Sequence, residues 1–513
     1  MVLPGDSFVG FASLTRESYA QWADGGYDAA PLVRFCAMAV HDGRRDSVGR
    51  GVTVLQVLVL LMVVAAWWSP ALGFYFSQDD FPLLATSHPG WVHPSALFLI
   101  GSPREYRPLS QHVFFFLNQL VFGLDPRGHH AATLAVHLAS AVLVGMLARR
   151  WIARWALLPA GAAFALHPVH FFEVSWVSGV SPGACVLFML LTLASLDSYL
   201  VRGQGWKLVA ALAAAAAALL SKEDAVMLPA LVTVLALARP ARGRGLRIAA
   251  VVAPFWLLAA CYLALRFSLL GLGLPSTGVY RFGVEPRLLL AKTLLYSHWL
   301  LLSWPFVVAL AGASVVAVAT GRANSWRPSA RGASLLLLAA PLSVLPTMLV
   351  PSAAGHYLSF ASAVLALVLA GLVRWTAPGG WRFGVATALA LALLAPSWQQ
   401  RGGLLASRDM SVPLPAKAAL CREWVEGLRA GRELAKPGCN VVLRDAPLQD
   451  WERQWLSFLP AVAWDRPLGP ERVRIVLAGD PEPTRRAAEC SATWSLTAAG
   501  ARYVMSEAST IEP

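Results

Sequence analysis

Apolar runs close to the length that carries an α-helix across a bilayer core, about 20 residues, recur along about two-thirds of this chain and restrict its folds more than any other feature. They fall at 52–72, 128–148, 155–172, 182–200, 207–221, 224–239, 247–268, 304–320, 333–351, 357–374 and 381–397. Of the 513 residues, 57% are hydrophobic and 14% charged, far from the balance of a soluble domain. The expected fold is therefore an all-α polytopic membrane protein of about eleven transmembrane helices.

The net charge of +13 would suit a polyanion such as nucleic acid, but the arginines sit in short clusters between apolar runs, so no nucleic-acid partner is expected. With residues 1–51 cytoplasmic, five inner loops hold fourteen basic residues, among them Arg149, Arg150, Arg154, Arg202, Lys207, Arg242, Arg327 and Arg374. The longer outer loops hold seven. This asymmetry orients the chain. The opening residues are mixed polar and apolar, with Arg16, Arg34, Arg44, Arg45 and Arg50, so the first span is expected to act as an uncleaved signal. The stretches 108–123 and 288–302 would invert the charge pattern if they crossed, and read instead as helices lying in the outer interface.

Past residue 397 charges recur every few residues, and two β-like runs, Asn440 to Leu443 and Val473 to Leu477, stand between helix-like segments. A small C-terminal α/β extracytoplasmic domain over 398–513 is expected, following a transmembrane domain over 52–397 with an external loop at 77–127. Cys421, Cys439 and Cys490 suffice for one disulfide in an oxidising compartment, and their odd number leaves the pair unassigned. No cysteine or histidine spacing closes a structural zinc site.

Charged residues are costly at a membrane surface unless solvated, paired or functional. Asp79 and Asp80 follow the first span directly, either as a solvated helix end or as chemistry. Arg104, Glu105, Tyr106 and Arg107 lie on the side depleted of basic residues; the arginines either grip an anion or pair with nearby carboxylates. His167, His170 and Glu173 end the third run. Pro168 between the two histidines disturbs the turn that would align them, and no metal is assigned. Lys222, Glu223 and Asp224 form a charged hairpin tip, where Lys222 is a neutralised neighbour of Glu223 or a phosphate-binding cation.

Asp79-Asp80, Tyr106-Arg107-Pro108-Leu109, Phe122-Gly123-Leu124-Asp125-Pro126 with His129-His130, His137-Leu138, His167-Pro168-Val169-His170 with Trp176-Val177-Ser178-Gly179, Ser221-Lys222-Glu223 and His356-Tyr357-Leu358 follow one another over residues 52–375. Together they resemble the signatures of the GT-C membrane glycosyltransferases, most closely the protein O-mannosyltransferase-like group that includes the transmembrane-and-tetratricopeptide-repeat enzymes. Two departures stand out. Gly355-His356-Tyr357-Leu358 replaces the group's usual Glu-Arg-Tyr-Leu, and no tetratricopeptide repeats follow residue 397.

The resemblance implies transfer of a sugar from a polyprenyl-phosphate carrier to an acceptor hydroxyl with inversion, on the periplasmic side of a bacterial inner membrane. An acidic residue of the first external loop would be the base, Asp80 by first choice and Asp79 as alternative or orienting partner. Arg107 and Lys222 would meet the donor phosphate, with Tyr106, Arg104, Glu223, His356 and Tyr357 around them. His167, His170 and Glu173 would shape the cavity. No cofactor is implied beyond the lipid-linked donor as substrate; metal use, sugar and acceptor stay open. The competing readings are a flippase or transporter of lipid-linked sugars, expected to show ionisable residues in mid-membrane and an internal repeat, and a non-catalytic assembly factor.

Overall fold

The computed structural model describes residues 47–99, 105–238, 246–270, 285–301, 339, 341–349, 353–376, 382–385, 387, 414–434, 440–446, 453–467, 473–477, 491–497 and 500–504. In order, the helices are α1 Ser47–Trp68, α2 Asp80–Thr86, α3 Phe114–Phe122, α4 Pro126–Trp151, α5 Leu157–Ala165, α6 Phe171–Ser175, α7 Val180–Arg202, α8 Gly205–Ser221, α9 Leu228–Ala238, α10 Leu246–Leu270, α11 Pro286–Leu301, α12 Ser359–Thr376 and α13 Leu414–Ala430. They are followed by β1 Asn440–Ala446, α14 Arg453–Leu456, α15 Leu459–Trp464, β2 Val473–Leu477, β3 Ser491–Thr497 and β4 Gly500–Val504. Residues 47–56 contribute the opening turns of α1, and the chain from Val57 onward forms one compact unit.

Five segments are long and apolar enough to cross a bilayer: Gly51–Gly73, Pro126–Trp151, Val180–Arg202, Ile248–Leu270 and Gly355–Arg374. A sixth is the pair Arg154–Ala165 and Pro168–Ser175, bent by 53°. The protein is thus a multi-pass membrane protein. The expected run 155–172 is broken because Pro168 has no N–H to continue the helix, and His167 caps the new turn by accepting from Val169 N at 3.3 Å. The run 224–239 yields only the 11 residues of α9, and 207–221 matches the short apolar helix α8. The runs 304–320 and most of 333–351 and 381–397 lie outside the described residues.

Local chemistry sets the ends of these helices. Gly123, at φ 57°, turns the chain out of α3, in a region of backbone space that favours glycine. Asp125 then accepts from Arg127 N at 3.0 Å, and Pro126 takes the first helical position of α4. Gly203, at φ 72°, closes α7 in the left-handed conformation. At that end Arg150 meets the buried Asp197 at 2.7 Å, and Trp151 Nε1 donates to the same carboxylate at 3.2 Å.

Of the stretches 108–123 and 288–302, residues 108–122 and 288–301 are helical. The first opens with a wide π-helical turn at Pro108–Val113. Its inner face is held by Ser110 Oγ donating to Ser221 O at 2.6 Å and by Gln119 Nε2 donating to Leu84 O at 3.1 Å. Leu117, Leu120, Val121 and Phe122 are exposed on its other face.

The two β-like runs are strands β1 and β2. The sheet has order β2-β1-β3-β4, with β1 parallel to β2 and β3 and β4 antiparallel to β3. Its core is continuous with the segment after α1: Phe76, Phe81, Leu84, Phe115 and Val177 pack in one cluster with Trp424, Trp455, Trp464 and Trp494. Phe81 and Trp455 stack with centroids 5.6 Å apart, and Trp464 Nε1 donates to Leu428 O at 2.7 Å. Cys421 is buried there, whereas Cys439 and Cys490 lie outside the described residues. The sheet region thus packs directly against the turn that carries Asp79 and Asp80.

Because Trp455 is buried against Phe81, Trp455→Ala should cost about 3–5 kcal/mol and lower the thermal midpoint markedly. Leu290→Ala, at an exposed position, should stay within about 0.5 kcal/mol of the parent. Thermal unfolding in detergent checks both.

Candidate functional site

The ends of α1 and α8, the starts of α4 and α12, and the 105–108 segment bring the polar motifs of distant sequence to one end of the helices. Arg107 is the hub. Its Nε donates to Glu223 Oε2 at 2.8 Å and its NH2 to Glu223 Oε1 at 2.5 Å, a bidentate pair that fixes the guanidinium plane; Glu105 pairs with the same guanidinium. Arg107 therefore pairs internally with Glu105, as weighed from sequence, and with Glu223 besides. Lys222 is buried and meets Asp224 Oδ2 at 2.7 Å, not Glu223, with its ammonium 4.8 Å from the centre of the Tyr357 ring.

Electrostatics keeps this network charged. Burial works against the Glu223 carboxylate, but Arg107 and Lys222 outweigh it and hold its pKa well below the usual range. Burial likewise works against the Lys222 ammonium, and Asp224 together with Glu223 outweighs both that and the repulsion of Arg107, raising its pKa. Two cations here face three carboxylates, Glu105, Glu223 and Asp224.

Asp79 and Asp80 are adjacent in sequence and opposite in surroundings. Gln78, at φ 51°, turns the chain just before them. Asp80 is fully buried: its Oδ2 accepts from Ser77 N at 2.9 Å and its Oδ1 from Ser178 N at 2.7 Å. Trp176 Nε1 donates to Ser77 O at 3.0 Å, so the 77–80 turn and the 176–178 turn are stitched twice. Burial raises the Asp80 pKa to about 7 against the pull of those N–H donors.

Asp79 is solvent-accessible, and the protein around it desolvates its carboxylate in part. That partial desolvation, and then Glu105, raise its pKa to about 6, while Arg107 and Lys417 act in the opposite sense. Lys417 is a buried residue of α13, and nothing in its sequence context marks it as a neighbour of the acidic pair. Asp79 thus offers an open carboxylate that titrates near neutrality.

The remaining sequence candidates divide. Tyr106 is buried, and its hydroxyl donates to Phe98 O at 3.0 Å, a fixed internal role. His356 and Tyr357 line a recess with Pro182, Cys185, Met189 and Asp224, and His356 Nδ1 has no hydrogen-bond partner among the described residues. Arg104 lies outside the described residues. His167 points away from the acidic pair, its Nε2 donating to Leu300 O at 3.0 Å. His170 and Glu173 join a partner that sequence reasoning did not single out for chemistry, His137, halfway along α4. After the break at Pro168, Glu173 meets His137 halfway along a membrane-spanning helix.

No family model matches the chain. Protein O-mannosyl-transferase Tmtc1 of Drosophila melanogaster is 34% identical over 127 residues, 25% of this chain and 15% of that protein. Tmtc2 of the same organism is 40% identical over 134 residues, 25% of this chain and 14% of that protein. Human TMTC2 is 30% identical over 136 residues, 25% of this chain and 16% of that protein. The chain therefore matches only a small part of the length of these curated relatives. Among solved structures, ArnT from Cupriavidus metallidurans bound to undecaprenyl phosphate gives a TM-score of 0.49 at 16% identity, over 82% of this chain and 89% of that one. Mycobacterial arabinofuranosyltransferase AftD gives 0.47 at 18% identity, over 80% of this chain and 32% of that one. The chain is thus similar in sequence to O-mannosyl-transferases of the GT-C class, in keeping with the order of its motifs.

The environments of the acidic pair separate their effects on stability. Asp80→Asn places an amide where two N–H donors need acceptors, and should cost about 1–3 kcal/mol. Asp79→Asn, at an exposed position, should change stability by under about 0.5 kcal/mol. Thermal unfolding of the two variants at neutral pH should show the larger loss for Asp80→Asn.

Proposed function

We propose that this protein is a membrane glycosyltransferase that moves a sugar from a polyprenyl-phosphate donor to an acceptor hydroxyl at the outer membrane face, with inversion. The observation that carries this reading is the accessible carboxylate of Asp79, within electrostatic reach of Arg107 and beside an Asp80 whose two oxygens are closed off by Ser77 and Ser178. The likeness to O-mannosyl-transferases over a quarter of the chain supports the reaction class, and the charge asymmetry of the loops supports the orientation. On that orientation the site and the sheet region face the periplasm of a bacterial inner membrane.

In this reading the acceptor oxygen attacks the anomeric carbon from the face opposite the phosphate. The new C–O bond forms as the bond from that carbon to the phosphate oxygen breaks, and polyprenyl phosphate leaves. The hydroxyl proton passes to a carboxylate, which must be unprotonated and reachable. Asp79 meets both conditions. Asp80, the first choice from sequence, has both oxygens occupied by backbone donors and acts by holding the turn. Arg107 and Lys222 are the cations for the departing phosphate, which must compete with Glu105, Glu223 and Asp224 for them. Their existing partners keep both charged until the donor arrives.

Purified protein incubated with a panel of polyprenyl-phosphate sugars should release polyprenyl phosphate with at least one of them. Asp79→Asn should slow that release by about 10²–10⁴-fold. For the parent, kcat/KM should fall as pH drops through about 6, where Asp79 takes up its proton. Undiminished activity in Asp79→Asn would remove the base from this position. No release with any donor would remove the transferase reading.

A further inference from the structure

Three buried side chains take no part in the proposed reaction. His137, near the middle of α4, His170, in the turn after Pro168, and Glu173, in α6, are 0%, 0% and 1% exposed. Nδ1 of His137 is 3.3 Å from Glu173 Oε1, and Nδ1 of His170 is 2.8 Å from Oε2. Aromatic rings wall the cluster: Phe164 stacks on His137 at 5.5 Å, and Trp68 meets it edge-on at 6.0 Å.

The outer nitrogens determine what the inner ones can be. His137 Nε2 is 2.9 Å from the carbonyl oxygen of Ala165, which only accepts, so this nitrogen carries a proton. His170 Nε2 is 2.9 Å from Ser362 Oγ, whose hydroxyl also reaches Ser359 O at 2.8 Å; with the hydroxyl hydrogen on that carbonyl, this nitrogen too is the donor. With both Nε2 atoms protonated, the neutral rings turn two Nδ1 lone pairs toward one carboxylate. Lone pair would face lone pair at both contacts. Relief takes positive charge between them, as two extra protons or as one divalent cation. Two imidazoliums sharing one carboxylate halfway along a membrane-spanning helix are a costly arrangement. A divalent ion supplies the same charge and binds neutral imidazole nitrogens directly.

We propose that His137, His170 and Glu173 form a binding site for one divalent transition-metal ion of the zinc class, which pins the broken third span to α4. Two imidazoles and a carboxylate are the donor set such an ion prefers. Donors of a tetrahedral ion with bonds of about 2.0–2.1 Å stand about 3.3 Å apart, and one donor atom from each of the three residues lies within 4.8 Å of the others. Each carboxylate oxygen faces a different imidazole, so the three side chains present up to four donor atoms. The usual outer supports are present as well: each histidine donates its far nitrogen to a fixed acceptor, Ala165 O or Ser362 Oγ. Gly183 of α7 lets the carboxylate in, since a Cβ there would stand 2.7 Å from Glu173 Oε1.

The full chain, purified without a histidine tag and equilibrated with zinc, should retain about one ion per chain after gel filtration. X-ray absorption should show nitrogen and oxygen donors at about 2.0–2.1 Å, and the cobalt-loaded protein should show the ligand-field bands of a four-coordinate site. Glu173→Gln should abolish retention, and Ser362→Ala should weaken affinity by about 10–100-fold. Strong chelation should lower the thermal midpoint of the parent, and zinc should restore it. Absence of retained zinc in the parent, sulfur in its coordination shell, or equal retention by folded Glu173→Gln would overturn the assignment. The parent measurements stand alone if the variant does not fold.

Discussion

The carboxylate of Asp80, closed between the N–H groups of Ser77 and Ser178, is the constraint on which the candidate site depends. Two turns that follow different spans meet on it, and the Trp176 bond to Ser77 O completes the junction. Holding Asp80 inward turns its neighbour Asp79 outward. The same junction seats Phe81 on Trp455, so the sheet at the C-terminal end and the first loop share one core. The polar site is built on this rigid corner, which suits chemistry that needs a carboxylate held in place.

A second constraint is the cost of charge at the edge of a membrane. Arg107, Lys222, Glu105, Glu223 and Asp224 come from segments more than a hundred positions apart, and each has a partner of opposite sign. Such a network keeps cations in place where single ones would be expelled or neutralised. In the proposed reaction an arriving phosphate would exchange with these carboxylates and not enter an empty cationic pocket.

Much of this was legible in the sequence, for identifiable reasons. Long apolar runs announce spans directly, and 52–72, 128–148, 182–200, 247–268 and 357–374 each fall on a helix long enough to cross. Pro168 warned of a disturbed turn, and the 53° break is its consequence. The resemblance put Asp80 first and Asp79 second, but the surroundings of adjacent carboxylates are not legible in sequence, because they lie in which one meets the N–H of Ser178. His137 was hidden in another way: a lone histidine in an apolar helix has no local pattern, and its partner Glu173 arrives only through the bend. Lys417 could not be placed near Asp79 at all, since their approach depends on how the C-terminal segment packs on the first loop.

The central claim is that Asp79, and not Asp80, faces the reacting sugar. Its most direct measurement is a cryo-electron microscopy structure of the full chain with a polyprenyl-phosphonate sugar that cannot be cleaved. The expected result is a sugar ring beside Asp79, its anomeric carbon turned toward the Asp79 carboxylate, its phosphonate on Arg107 or Lys222, and Asp80 still bonded to Ser77 and Ser178. A ring seated against an Asp80 that has left those two N–H groups, with Asp79 turned to solvent, would contradict it.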